Sequence, residues 1–310
     1  MHIQCGFRRP FAVLGLGLIL SGCGGEDGIA PPPATNDGFP PLLSELGVSG
    51  RTFEPQYPLW TNGSSKVRTI SLPAGTQVDT SDRTSWAYPE GTVLAKTFAY
   101  ERPEGGADRK IETRIIRVRD GQFETATYLW ADDQSDASLL GSAAVSVEVT
   151  TAQGNSFTHI VPGANSCRQC HTTSTPFVLG FSELQLNHTP DGSGTSQLRL
   201  FADAGLLSGG VPTTPEEIGG DPAIRDMVGY VQGNCVHCHN SSELGDFSHG
   251  VFLANTIDQP SRTGGLIVQM QHPDSSAFYR RFATGNMPPL GVEVRDSVMI
   301  ERVRAWIAGS

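Results

Sequence analysis

Between about Leu42 and Pro162, apolar and polar residues alternate in short runs, the pattern of half-buried strands. Val67–Leu72, Thr92–Tyr100, Lys110–Arg119, Gln122–Trp130 and Ala143–Thr150 are rich in Val, Ile, Thr, Tyr and Phe, with turn residues between them. Asp120-Gly121, flanked by two such runs, predicts a tight hairpin. Pro73-Ala74-Gly75-Thr76 and Pro89-Glu90-Gly91-Thr92 predict Pro-led turns, each feeding a strand. Residues 42–162 therefore read as an antiparallel β domain. From 163 to 220 the pattern is mixed. Phe177–Asn187 and Ser196–Ala204 have helical spacing, and Gly205 can end the second. Gly209-Gly210, Thr213-Thr214-Pro215 and Gly219-Gly220 then mark a boundary. Over 221–310 the period is helical. Asp221 can cap a helix that has Pro222 at its first position and Ile224, Val228 and Val231 on one face. Val298-Met299-Ile300, Val303 and Trp306-Ile307 predict a second amphipathic helix from about Arg295 to Ala308. The fold class is α+β: an antiparallel β domain followed by a small all-α domain.

The chain starts differently. Arg8 and Arg9 precede an apolar run, Phe11 to Leu20, that is too short for a permanent membrane span. Leu20-Ser21-Gly22-Cys23 follows and resembles a bacterial lipobox. That resemblance implies a signal peptide over 1–22, cleavage before Cys23, and a lipid anchor on the Cys23 sulfur; an ordinary cleaved signal is the alternative. Several acyl chains on one cysteine give stable anchoring where a single chain is marginal. Gly24 after the cysteine favours the outer membrane. Residues 23–41, rich in Gly, Pro, Asp and Ala, read as a flexible tether.

Two stretches carry the chemistry: Cys167-Arg168-Gln169-Cys170-His171 and Cys235-Val236-His237-Cys238-His239. Each reads C-x-x-C-H, the pattern of covalent haem c attachment. Two thiols at this spacing reach the two vinyl groups of a porphyrin, and the next histidine supplies an axial nitrogen to the iron. A thioredoxin motif wants a βαβ context, and a zinc ribbon wants its cysteine pairs much closer together. Cysteine usage agrees: of six, Cys5 leaves with the signal, Cys23 takes lipid, and four hold two haems. The expected cofactors are two covalently bound haem c groups, with His171 and His239 as proximal ligands.

Met287, in Gly285-Asn286-Met287-Pro288-Pro289-Leu290, is the expected distal ligand of the second haem. The two prolines stiffen the loop, so a weakly binding thioether is held at low entropic cost. For the first haem, His159, His188, Met227 and no ligand at all remain open. His237 is expected to point away from the porphyrin. His249 and His272 read as surface residues, and Trp60, Trp86 and Trp130 as β-core residues. The formal net charge of −10 over 310 residues argues against nucleic acid as a partner and suits a basic redox partner protein. No nucleophile elbow, phosphate loop or paired-carboxylate pattern is present.

Over nearly its full mature length the chain resembles a little-characterised family of diheme c-type cytochromes of Gram-negative bacteria. The resemblance lies in Pro58-Leu59-Trp60-Thr61-Asn62-Gly63-Ser64-Ser65-Lys66, Leu72 to Thr76, Tyr88 to Lys96, Val178 to Phe181, Gln185-Leu186-Asn187, Asn234-Cys235 and Met287 to Gly291. It implies haem and export. The β part, to His171, is also similar to the cytochrome P460 and c′-β group, whose five-coordinate haem binds or oxidises small nitrogen species. Lys96 looks like a lysine of their corresponding strand. Residues 221–310 are similar to class I cytochromes c, in which the first and last helices pack beside the haem. The expected function is electron transfer in the periplasm by a membrane-anchored diheme cytochrome. The alternative is a diheme oxidoreductase whose first haem has an open distal face that reacts with peroxide, nitric oxide or hydroxylamine. A third class, a structural or binding lipoprotein, leaves two haems without a role.

Overall fold

The computed structural model describes residues 38–172, 177–190, 192–241, 244–289 and 291–309. Cys23, the signal segment and most of the tether lie outside them. Among the described residues no helix is long and apolar enough to cross a membrane.

Six strands follow one another in a single antiparallel sheet: β1 (Arg51–Phe53), β2 (Ser65–Ser71), β3 (Val93–Tyr100), β4 (Arg109–Arg119), β5 (Gln122–Trp130) and β6 (Ala137–Leu139). The predicted hairpin joins β4 to β5. Arg119 pairs with Gln122, and Asp120 and Gly121 take φ of 53° and 69°, the left-handed pair that a two-residue turn requires. The Glu90 carboxylate accepts the Asp120 and Gly121 amides at 2.9 and 3.1 Å and ties this hairpin to the preceding turn. Both Pro-led turns adopt one geometry. Thr76 and Thr92 donate their amides to Pro73 and Pro89, with Gly75 and Gly91 at φ 78° and 82°. A separate hairpin, β7 (Val145–Thr150) and β8 (Ser156–Val161), leads into the first motif.

Each sheet face has its own cover. Ala95, Ile115, Ala126 and Tyr128 pack under Phe39 and Leu43. On the other face, Ile70 and Leu94 pack with Phe181, Leu198 and Phe201. The remainder of that second face is charged: Lys66 and Arg68 on β2, Lys96 on β3, and Glu112 and Arg114 on β4.

The helices are mostly short. After α1 (Arg168–His171) come α2 (Glu183–Leu186), α3 (Gln197–Asp203), α4 (Pro222–Asn234), a two-strand ladder of β9 (Asn240–Ser241) with β10 (Gly245–Asp246), then α5 (Phe252–Thr256), α6 (Ala277–Thr284) and α7 (Ser297–Ala308). The caps are the expected ones for α4: the Asp221 carboxylate accepts the Ile224 amide at 3.0 Å, and Pro222 opens the helix. In α7, Asp296 caps in the same way, onto Met299. Met227, Val228 and Val231 of α4 share a core with Met299, Val303 and Ile307 of α7. The helix expected over Phe177–Asn187 is a correction. Gly180 takes φ 81°, and the helix begins only after its cap at Ser182, leaving the single turn of α2.

One extended segment, residues 54–62, joins sheet to helices. Gln197 pairs both side-chain groups with the Glu54 backbone, and Gln185 does the same with Tyr57. Asn234 accepts the Trp60 amide at 2.7 Å and donates to Pro58. Asn62, at φ 51°, accepts the amides of Glu293 and Val294, both at 2.8 Å. The segment runs so close to α4 that a methyl group on Gly229 would enter the Tyr57 ring, and one on Gly233 would strike the Tyr57 carbonyl. The described residues form one compact unit.

Alanine in place of glycine inside a helix normally stabilises by about 1 kcal/mol. Gly229→Ala is expected to do the reverse here and to cost about 1–3 kcal/mol through overpacking. Gly219→Ala, which meets nothing within 4 Å, should be near neutral. Denaturant midpoints of the two variants check this.

Candidate functional site

The first motif follows β8 through a 3-10 turn, Ala164–Ser166. His171 is half-buried, and its Nδ1–H donates to the Phe177 carbonyl at 2.6 Å. Phe177 stacks flat on Phe123 of β5, with centroids 4.6 Å apart, so the histidine is anchored to the sheet. Burial lowers the His171 imidazole to about 4, assisted by the positive charges of Lys96 and Arg114. The second motif begins where α4 ends, with Cys235 as the C-cap residue. His239 Nδ1–H donates to the Leu244 carbonyl at 2.8 Å, and its ring lies flat against Phe247 at 4.4 Å. Burial lowers this imidazole too.

Both segments thus use one device. A backbone carbonyl in the following loop takes the Nδ1 proton and fixes the tautomer, and burial keeps the ring neutral. A neutral imidazole with a committed Nδ1 presents the Nε2 lone pair to a metal. Each segment thus offers one oriented imidazole nitrogen for a metal and two thiols for attachment, residue chemistry that fits a covalently held haem. None of the four cysteines forms a disulfide. Burial pushes the Cys170 and Cys235 thiols up, so they are protonated at neutral pH.

The two motifs meet. The sulfurs of Cys170 and Cys238 and a ring nitrogen of His237 all lie within 4.8 Å of one another. His237 is therefore not a bystander. It fills the junction, and burial, with Lys96 and His239 nearby, lowers it to about 4. Sequence spacing could not show this, because the contact joins segments far apart in the chain.

The charged half of the sheet face lies beside the first motif. Arg114 is within electrostatic reach of Cys167 and Cys170, and Lys96 of His171 and His237. Glu112, fully buried, accepts from two of the three guanidinium nitrogens of Arg114, at 2.8 and 2.6 Å, and meets His159 Nε2 at 3.1 Å. Burial alone would raise the Glu112 carboxyl, but Arg114 and His159 outweigh it and hold it at about 2.

The three side chains considered as distal ligands for the first motif have other work. His159 is a core residue, 1% exposed, with Nδ1 against Tyr100 at 3.1 Å and Nε2 on Glu112. His188 Nε2 meets the Glu54 carbonyl at 2.7 Å and Gln197. Met227 packs inside the α4–α7 core. Near the second motif, the Met287 amide donates to the Arg281 carbonyl at 3.2 Å, and the Arg281 charge reaches His239.

Comparison with protein-family models, curated proteins and solved structures returned no match.

The Glu112 carboxyl is depressed relative to its ordinary value of 4.5. Its stabilising contribution is therefore complete above pH 4.5 and is lost as pH falls toward 2. Glu112→Gln should cost about 3–5 kcal/mol at pH 7 by leaving Arg114 unpaired. It should also flatten the loss of stability below pH 4.5, as read from denaturation midpoints across that range.

Proposed function

We propose that the protein is a diheme c-type cytochrome that transfers electrons in the periplasm and is anchored, through a lipidated Cys23, to the outer membrane. The observation that carries this reading is the repeated proximal-histidine geometry. His171 and His239 each follow a C-x-x-C pair, and each commits Nδ1–H to a loop carbonyl. Haem attached there supplies a one-electron iron couple, and the chain's own residues hold and tune it. Cys167 and Cys170 would hold one group, and Cys235 and Cys238 the other. His171 and His239 are the proximal ligands, with Met287 as the distal ligand of the second iron. The contact of Cys170 with Cys238 and His237 favours direct exchange between the two groups. The segments that resemble the Gram-negative diheme family, and the helix pair that resembles class I cytochromes c, support this reading. Its partners are redox proteins, and the acidic balance of the chain suits a basic one.

A second reading has its own support. His159, His188 and Met227 are each engaged elsewhere, which favours a first iron without a side-chain distal ligand. Such a centre, next to the cations Lys96 and Arg114, suits reaction with a small molecule, and the second centre would carry the electrons.

A pyridine haemochrome assay on the matured full-length protein should give two haems per chain, falling to one in Cys167→Ala/Cys170→Ala. A single haem in the unaltered protein would defeat the diheme reading. EPR of the ferric form separates the two functions. Two low-spin signals and no carbon monoxide binding on reduction support the carrier. A high-spin signal that disappears in His171→Ala supports the oxidoreductase.

A further inference from the structure

The charged half of the sheet face contains more positive charge than its neighbours neutralise. Arg68 of β2 lies directly opposite Lys96 of β3, and Lys96 lies opposite Arg114 of β4. Lys66 faces the same way, two positions along from Arg68. Lys66, Lys96 and Arg114 all lean over the Phe98 ring, at 5.8, 4.8 and 4.4 Å from its centroid. Like charges directly opposite on neighbouring strands repel. Glu112 is fully committed to Arg114 and His159. Glu54 lies within electrostatic reach of Arg68. Among the described residues, Lys66, Arg68 and Lys96 form no ion pair. Arg68 is only 7% exposed and donates no side-chain hydrogen bond among those residues. Lys66 reaches only the Ser64 carbonyl, at 2.9 Å. Lys96 is half-buried, so its side chain keeps contact with solvent. A buried guanidinium with no acceptor is costly, so such groups are ordinarily paired.

We propose that Lys66, Arg68, Lys96 and Arg114 form an anion seat that takes a carboxylate or a small oxyanion beside the first C-x-x-C-H segment. Phe98 forms the apolar floor, and cations from three strands supply donors from three directions. The Arg68 fork, two ammonium groups and the one Arg114 nitrogen that Glu112 does not take match a multi-oxygen anion better than a monatomic ion. Two sources share that chemistry. One is the pair of carboxylates on a haem attached at either motif, a source that rests on the function proposed above. The other is a free oxyanion from solvent, such as nitrite or sulfate, which does not depend on haem.

The test uses the matured full-length protein together with Arg68→Gln, Lys96→Gln and Lys96→Arg. Haem is counted first in each, so a failure of the diheme reading is recorded separately from a failure of the seat. Thermal midpoints are then followed against sodium nitrite and sodium sulfate, with sodium chloride at matched ionic strength as the control. A saturable rise specific to the oxyanion, weakened at least about tenfold in both Gln variants and restored by Lys96→Arg, identifies a solvent anion. No such rise, with altered haem-carboxylate Raman bands and a lowered reduction potential in the Gln variants, identifies the haem carboxylates. If neither readout moves and Arg68→Gln is more stable than the unaltered protein, the row is simple repulsion and the proposal is overturned.

Discussion

The close approach of residues 54–62 to α4 is the constraint from which the rest of the arrangement follows. That segment is the only stretch hydrogen-bonded at once to α2, α3 and α4 among the described residues, and it continues directly into β2. Its tight fit depends on two glycines one helical turn apart, Gly229 and Gly233, whose missing side chains allow Tyr57 to lie on the helix backbone. Asn234 completes the clamp and is also the last residue of α4, immediately before Cys235. Fixing α4 against the sheet therefore fixes the second motif against the first, which β8 delivers from the other side. Contact between Cys170 and Cys238 is a product of this clamp rather than of either motif alone.

Two kinds of polar burial meet at that junction, and they differ in energetic character. The Glu112, Arg114, His159 and Tyr100 network is closed: each charged or polar group has a partner at hydrogen-bond distance. Networks of this kind rigidify what they touch, and here they hold β8, β3 and β4 together below the first motif. The row of Arg68 and Lys96 is open, because its members lie opposite one another in the sheet and form no ion pair with a carboxylate among the described residues. Burial brings Arg68 down to about 10 against the pull of Glu54, and burial with repulsion from Arg68 and Arg114 brings Lys66 down to about 8 and holds Lys96 well below the usual lysine range. A face that is closed at one strand and open at the next is arranged for something other than packing.

Local signals in the chain were enough for the elements but not for their meeting. The Asp120-Gly121 hairpin, both Pro-Xaa-Gly-Thr turns and the Asp221-Pro222 cap are decided by residues within four positions of each other, and each formed as its chemistry requires. The helical pattern of Phe177–Asn187 is realised only over Glu183–Leu186, because Gly180 and Ser182 impose local geometry that overrides the apolar spacing before it. His159 was ambiguous for a different reason. A histidine at the end of a strand looks the same whether it faces iron or carboxylate, and its partner Glu112 lies on a strand whose register no local pattern states. The cation row is invisible for the same reason, since Arg68, Lys96 and Arg114 become neighbours only through cross-strand pairing. Conversely, stretches that carry the family resemblance without evident chemistry acquire a physical role. Asn62, Gln185 and Asn234 are the side chains that clamp the extended segment.

The two motifs, although built alike, sit in unlike surroundings, and that difference bears on direction. His171 lies within reach of Lys96 and Arg114, so positive charge stands beside the first segment. His239 is stacked on Phe247 within a cluster that includes Phe252 and Phe278, with Arg281 the only cation among the influences on it. Nearby positive charge stabilises a reduced centre relative to an oxidised one, and an uncharged aromatic shell does so less specifically. On the proposed reading, electrons arriving at the second segment would be drawn across the Cys238–His237–Cys170 contact toward the first. An anion seated on the cation row would oppose that pull, so occupancy of the row would set how steeply the path runs. The same four side chains would then link what the protein binds to where its electrons rest.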